Sequence, residues 1–129
     1  MKILVPVDGS RASLAAVHRL ASRRTTAEVL LLNVQPRFHL HIAQFTRRAW
    51  RDDLRLERSV AALGPAADLL AAAGVRFRTL MEVGAPDECI AAVAKRERVD
   101  HVVGVAPRRP GWLLPAALAG AAALLLAAD

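Results

Sequence analysis

One cysteine, Cys89, stands in the 129-residue sequence, so no internal disulfide can form. No basic-then-apolar leader opens the chain, and the expected compartment is the cytoplasm. Signatures of chemistry are missing as well. There is no nucleophile elbow with an ordered Ser, His and Asp, no CxxC, no HExxH and no P-loop lysine, so no enzymatic activity is expected. Zinc-finger spacing, an RNP box and a GXXG loop are also lacking. Lysine is scarce: Lys2 and Lys95 are the only two among 18 basic residues. Arginine and alanine take over, a composition common in proteins from GC-rich bacterial genomes.

What is present suffices for one folded unit. At 54% hydrophobic, the chain can bury a real core, and residues 1–129 are expected to form a single domain. The net charge of +6 and a pI near 11.2 raise the question of nucleic acid. The basic residues answer it by their spacing. Arg47, Arg51, Arg55 and Arg58 recur every three or four positions, which stacks them on one helix face. Asp52, Asp53 and Glu57 interrupt that stripe, and Arg48 can pair with Asp52 at i,i+4. A solvated helix face is the expected outcome, without a nucleic-acid partner.

Short apolar runs alternate with helical periodicity, the pattern of strands joined by right-handed crossovers into a parallel sheet. Strand one is Lys2 to Val7. Asp8-Gly9-Ser10 then supplies a turn and an N-cap, and places Asp8 in the crevice past the carboxyl ends of the strands, where open α/β sheets bind ligands. Helix one runs from about Arg11 to Arg23, with Leu14, Val17, Leu20 and Ala21 on its apolar face and His18 beside it. Strand two spans Ala27 to Val34. A long helical region follows Gln35-Pro36 and ends before Gly74, and Gly64-Pro65 is expected to break or kink it. Strand three, Val75 to Val83, alternates like an edge strand. Pro86, Asp87 and Glu88 suit the start of helix three, and Lys95-Arg96 its end. Cys89 is expected on the core face of that helix, where a thiol is inert, and Val99 to Val103 is expected to form strand four.

The opening Ile3-Leu4-Val5-Pro6-Val7-Asp8-Gly9-Ser10, the run Ala27 to Val34, the stretch Glu82 to Ala94 and the closely following Val99 to Val103 occur in an order that resembles the universal stress protein family over essentially the whole chain. The resemblance implies an α/β fold of the adenine nucleotide alpha hydrolase-like kind: a three-layer sandwich around a parallel sheet, often dimeric. Many members bind ATP and a smaller class does not. By this resemblance the strand order is 3-2-1-4, with the family's fifth strand missing from the sequence, and Pro6, Val7, Asp8 and Val34 match adenine-side positions.

The phosphate side departs from the family pattern Gly-x2-Gly-x9-Gly-Ser/Thr. Counted from Gly104, the second glycine position is Pro107 and the final pair is Ala117-Leu118. Pro107 and Pro110 remove amide donors from a loop that should cradle phosphate, so ATP binding is expected to be weak or nil. Arg108 and Arg109 either meet an anion through their side chains or are solvated on a rigid connector. His39 and His41 alternate, but without clustered partners they are expected to line a loop and to hold no metal. Gly111 to Ala128 is uncharged, yet it is alanine-rich, contains Pro115 and lacks a basic flank, so a helix four packed on the sheet is expected in place of a membrane span. With apolar surface and a strand edge left over, the protein is expected to be a homo-oligomer, a dimer in the simplest case, with a partner covering the edge of strand four or the final helix.

Overall fold

The computed structural model describes residues 1–37 and 48–104. Along the chain these form β1 (Lys2–Pro6), α1 (Arg11–Arg23), β2 (Glu28–Gln35), α2 (Arg48–Ala72), β3 (Phe77–Val83), α3 (Pro86–Arg96) and β4 (His101–Val102). All three strand pairings are parallel, as the alternation of apolar runs and helices predicts, and the sheet order is β3-β2-β1-β4, as the family resemblance implies. Moving from β1 to β2 to β3 steps one way across the sheet, whereas β3 to β4 steps back over two strands. Constant crossover handedness then puts α1 and α2 on one face and α3 on the other.

Packing follows that arrangement. Ile3, Val5 and Val7 of the first strand region join Val29 and Leu31 of β2 against Val17 and Leu20 of α1 and Leu63, Ala66 and Leu70 of α2. Leu4, Leu30 and Leu32 point the other way, to Ile90, Val93 and Ala94 of α3. Because β1 and β2 are covered on both faces, they read as unbroken apolar runs. At the sheet margin β3 differs: Phe77 leans on the α1/α2 side and Leu80 on the α3 side, while Thr79 and Met81 are exposed.

Local chemistry sets most element ends. Ser10 caps α1, its hydroxyl accepting from the Ser13 N–H at 3.2 Å. Pro86 opens α3, with Asp87 and Glu88 in its first turn and Lys95 and Arg96 in its last, each complementing the helix dipole. His18 lies exposed on α1, and Arg48 pairs with Asp52 at 3.8 Å.

Three expectations need correction. Gly64-Pro65 does not break the long helix, which runs unbroken through Pro65 for 25 residues. An interior proline costs about 3 kcal/mol. Leu63, Ala66 and Leu70 on either side are buried, and each leucine contributes roughly 1.5–3 kcal/mol on burial, which offsets it. The carbonyl that loses its donor belongs to Ala61, an exposed residue, where water can serve. The last two strands are also shorter than expected, β3 starting at Phe77 and β4 keeping only His101 and Val102. Pro6 accounts for the latter. Lys2 and Leu4 accept from Asp100 and Val103, so the even-numbered residues of β1 face β4, and Pro6 has no N–H to continue the ladder. Finally, Cys89 is half-buried rather than in the core.

Candidate functional site

The site begins with a turn the sequence dictates. Past the end of β1, Gly9 adopts φ +84°, a conformation that favours glycine; a Cβ there would find ordinary room, so backbone geometry and not space requires the residue. Asp8 turns back on the helix that follows: its Oδ1 accepts from the Ser10 N–H at 2.9 Å and from the buried Ser13 hydroxyl at 3.1 Å. The Ser10 hydroxyl, outweighing an opposing desolvation, together with the Ser10 N–H and the Ser13 hydroxyl, holds the Asp8 carboxyl below its ordinary value. A carboxylate with a lowered folded-state value stabilises the fold at neutral pH and loses that contribution as the pH falls through the lowered value, below about 4. Urea denaturation of wild type and Asp8→Asn between pH 7 and pH 2.5 is therefore expected to give stability curves that converge in acid. Curves that stay parallel would mean that the hydrogen bonds on Asp8 add nothing to folding.

Under this turn lies a pair of buried amides that apolar patterning does not reveal. Asn33, 2% exposed, donates from Nδ2 to the Val7 carbonyl at 2.8 Å, and Gln35, 8% exposed, donates from Nε2 to Asn33 Oδ1 at 2.6 Å. The Gln35 carbonyl in turn accepts the Gly84 N–H at 3.0 Å. The carboxyl ends of β1, β2 and β3 are thus joined by hydrogen bonds running from Val7 to Gly84. The signal for the pair in the sequence is two amides at i,i+2 where the run Val29 to Leu32 ends.

Around this frame the structure places the predicted residues at one edge of the sheet. Pro6 is half-buried, and a Cβ on Gly104 would sit 3.1 Å from its Cδ, so glycine permits the chain leaving β4 to cross close to β1. Here β1 and β4 are neighbours at the point where the strand order reverses, the switch point at which open α/β sheets bind ligands. Val7 and Val34 share the edge but not a face: Val7 belongs to the α1/α2 core, and Val34 leans on the α3 core. Arg108, Arg109, Pro107, His39, His41, Arg47 and the run Gly111 to Ala128 lie outside the described residues. A cleft of about 380 Å³ opens nearby, lined by Pro36, Arg37, Gly84, Ala85, Pro86 and Glu88. Burial, followed by the negative charges of Glu82 and Glu88, pushes the Cys89 thiol above its ordinary value, which keeps it protonated and unreactive near neutral pH.

Among the described residues no cluster of His, Cys, Asp or Glu can hold a metal ion, and no helix is long and apolar enough to cross a membrane. The model of the universal stress protein family matches residues 1–113. The chain belongs to the universal stress protein family. Its sheet order and flanking helices are those of the adenine nucleotide alpha hydrolase-like fold. Among solved structures, a universal stress protein in complex with cAMP is 25% identical, with a TM-score of 0.63 over 81% of this chain and 75% of the other. A hypothetical protein whose biochemical function was assigned from its structure is 26% identical, with a TM-score of 0.66 over 80% of this chain and 72% of the other. A universal stress protein family protein from Arabidopsis thaliana with AMP bound is 21% identical, with a TM-score of 0.61 over 81% of this chain and 76% of the other, and shares the fold. No curated protein matches this universal stress protein in sequence.

Proposed function

We propose that this universal stress protein is a non-catalytic, cytoplasmic stress-response module that acts by protein association, assembles as a homo-oligomer, and binds ATP weakly or not at all. The observation that carries the nucleotide part is the sequence after Gly104: Pro107 stands where the family has its second glycine, and Ala117-Leu118 where it has Gly-Ser/Thr. A triphosphate needs several convergent amides, and two prolines in that segment take donors away. The adenine end fares better, since Pro6, Val7, Asp8 and Val34 lie together at the carboxyl edge of the sheet. A cyclic monophosphate of the kind bound by the 25% identical relative asks less of the phosphate side. For association, Trp50, Leu56, Val60 and Met81 offer exposed apolar side chains.

The competing reading is an ATP-binding switch or weak ATPase in which Arg108 or Arg109 neutralises the phosphates and Asp8 faces the nucleoside. One titration separates the two. Isothermal calorimetry with Mg-ATP is expected to give a dissociation constant no tighter than about 100 µM, roughly −5.5 kcal/mol. A low-micromolar isotherm that disappears in Asp8→Ala would establish the switch instead.

A further inference from the structure

The edge of β3, which no strand covers among the described residues, is complementary to itself, and we infer that two copies of this chain associate by pairing β3 with β3 antiparallel about Leu80, joining their sheets into one. This deepens the association reading given above and rests on it.

The backbone register supplies the first argument. On its inner side, β3 bonds to β2 through alternate residues, with the Val29 N–H donating to the Arg76 carbonyl and the Gly84 N–H to the Gln35 carbonyl. Arg78, Leu80 and Glu82 therefore turn their backbone groups inward, and Phe77, Thr79, Met81 and Val83 turn theirs outward. Among the described residues no strand covers that outer side. Thr79 is exposed, and Met81 is 40% exposed.

A two-fold axis through Leu80 sets Phe77 opposite Val83, Thr79 opposite Met81, Arg78 opposite Glu82, and Leu80 opposite its own copy. Every residue of Phe77–Val83 then has a partner. The outward-bonding residues meet one another, which gives the hydrogen-bonded pairs of an antiparallel ladder. Arg78 with Glu82 and Leu80 with Leu80 form the intervening closer pairs. Opposite charges facing across strands stabilise pairing and like charges oppose it. A parallel arrangement would set Arg78 beside Arg78 and Glu82 beside Glu82. An antiparallel register centred on Thr79 would set Arg78 against Leu80 and push the partner of Glu82 out of the strand, to Arg76.

These charges are already ordered within one chain. Arg78 pairs with Glu28 at 2.8 Å and with Glu97 at 3.5 Å, and Glu82 pairs with Arg96 at 2.9 Å, so little side-chain freedom is left to lose on association. Among the described residues β4 ends the sheet on the other side, and its two ladder residues are too few to organise a comparable contact. An isologous contact of this kind closes on itself as a dimer.

Thr79→Pro tests the pairing, because it removes an outward N–H and no bond to β2, and proline is tolerated on an edge strand in that orientation. In sedimentation velocity over a concentration series, the wild type is expected to dimerise and folded Thr79→Pro to do so at least about tenfold more weakly. Glu82→Arg, which sets Arg78 against a like charge, should weaken it in the same direction. In a Cys89→Ser background, Leu80→Cys is expected to form a covalent dimer on mild oxidation, since the facing Cα atoms of such a pair fall about 4.5 Å apart, within disulfide reach. Should Thr79→Pro fail to fold, the cross-link decides. A wild-type dimer that is indifferent to Thr79→Pro and gives no cross-link overturns the β3 contact while leaving association intact. A monomer at every concentration overturns both.

Discussion

Leu31→Ala is expected to remove about 3 kcal/mol of folding stability, a large share of the roughly 5–15 kcal/mol that holds a domain of this size. Leu31 is 0% exposed and sits mid-way along β2, the strand flanked by β1 and β3. Its side chain enters the core between the sheet and the pair α1 and α2. Both neighbouring strands hold the backbone, so the site cannot close around the missing methyl groups and a cavity remains. In guanidinium denaturation the midpoint should fall at an unchanged m-value. Leu56→Ala is the control: the same chemical change on α2, at a residue 57% exposed, is expected to stay within about 0.5 kcal/mol. Similar losses in the two variants would show that the core is not packed as described.

Asn33→Ala is expected to cost a comparable amount, about 2–4 kcal/mol, by a different route. The substitution leaves the Val7 carbonyl and the Gln35 amide buried without their partners, at about 1–3 kcal/mol for each orphaned group. Asn33→Leu separates this from simple loss of volume, because it fills the space but orphans the same two groups. Both variants should therefore be destabilised in the same denaturation series. Full stability in Asn33→Leu would mean that the amide serves only as filler, and that Val7 and Gln35 find other partners.

The two predictions differ in how far each could be seen ahead of the structure. That Leu31 is buried follows from its place in a run of apolar residues bounded by turn formers. That Asn33 reaches Val7 does not, because the two residues are 26 apart and meet only when β2 lies beside β1. The Asp8 turn was legible for the opposite reason: its acceptor, its donors and its glycine all lie within five residues of one another. Pro65 shows local preference losing to packing. Its disfavour for a helix interior is real, yet buried Leu63, Ala66 and Leu70 outweigh it.

By itself, then, the sequence determined the elements and their order, the alternation that makes the sheet parallel, the cap at Ser10 and the charged ends of α3. Each of these rests on chemistry between near neighbours or on periodicity along one strand or helix, whereas the strand order 3-2-1-4 came from the resemblance of its ordered motifs to the universal stress protein family. Only the tertiary structure decided which core each apolar residue of β1 and β2 enters, where β4 stops against Pro6, how Asn33 and Gln35 link the strand ends, and that Arg78 is held by Glu28 and Glu97. Those outcomes depend on register between segments far apart in the chain. Register is settled by the packing of both sheet faces at once, and no local stretch carries that information.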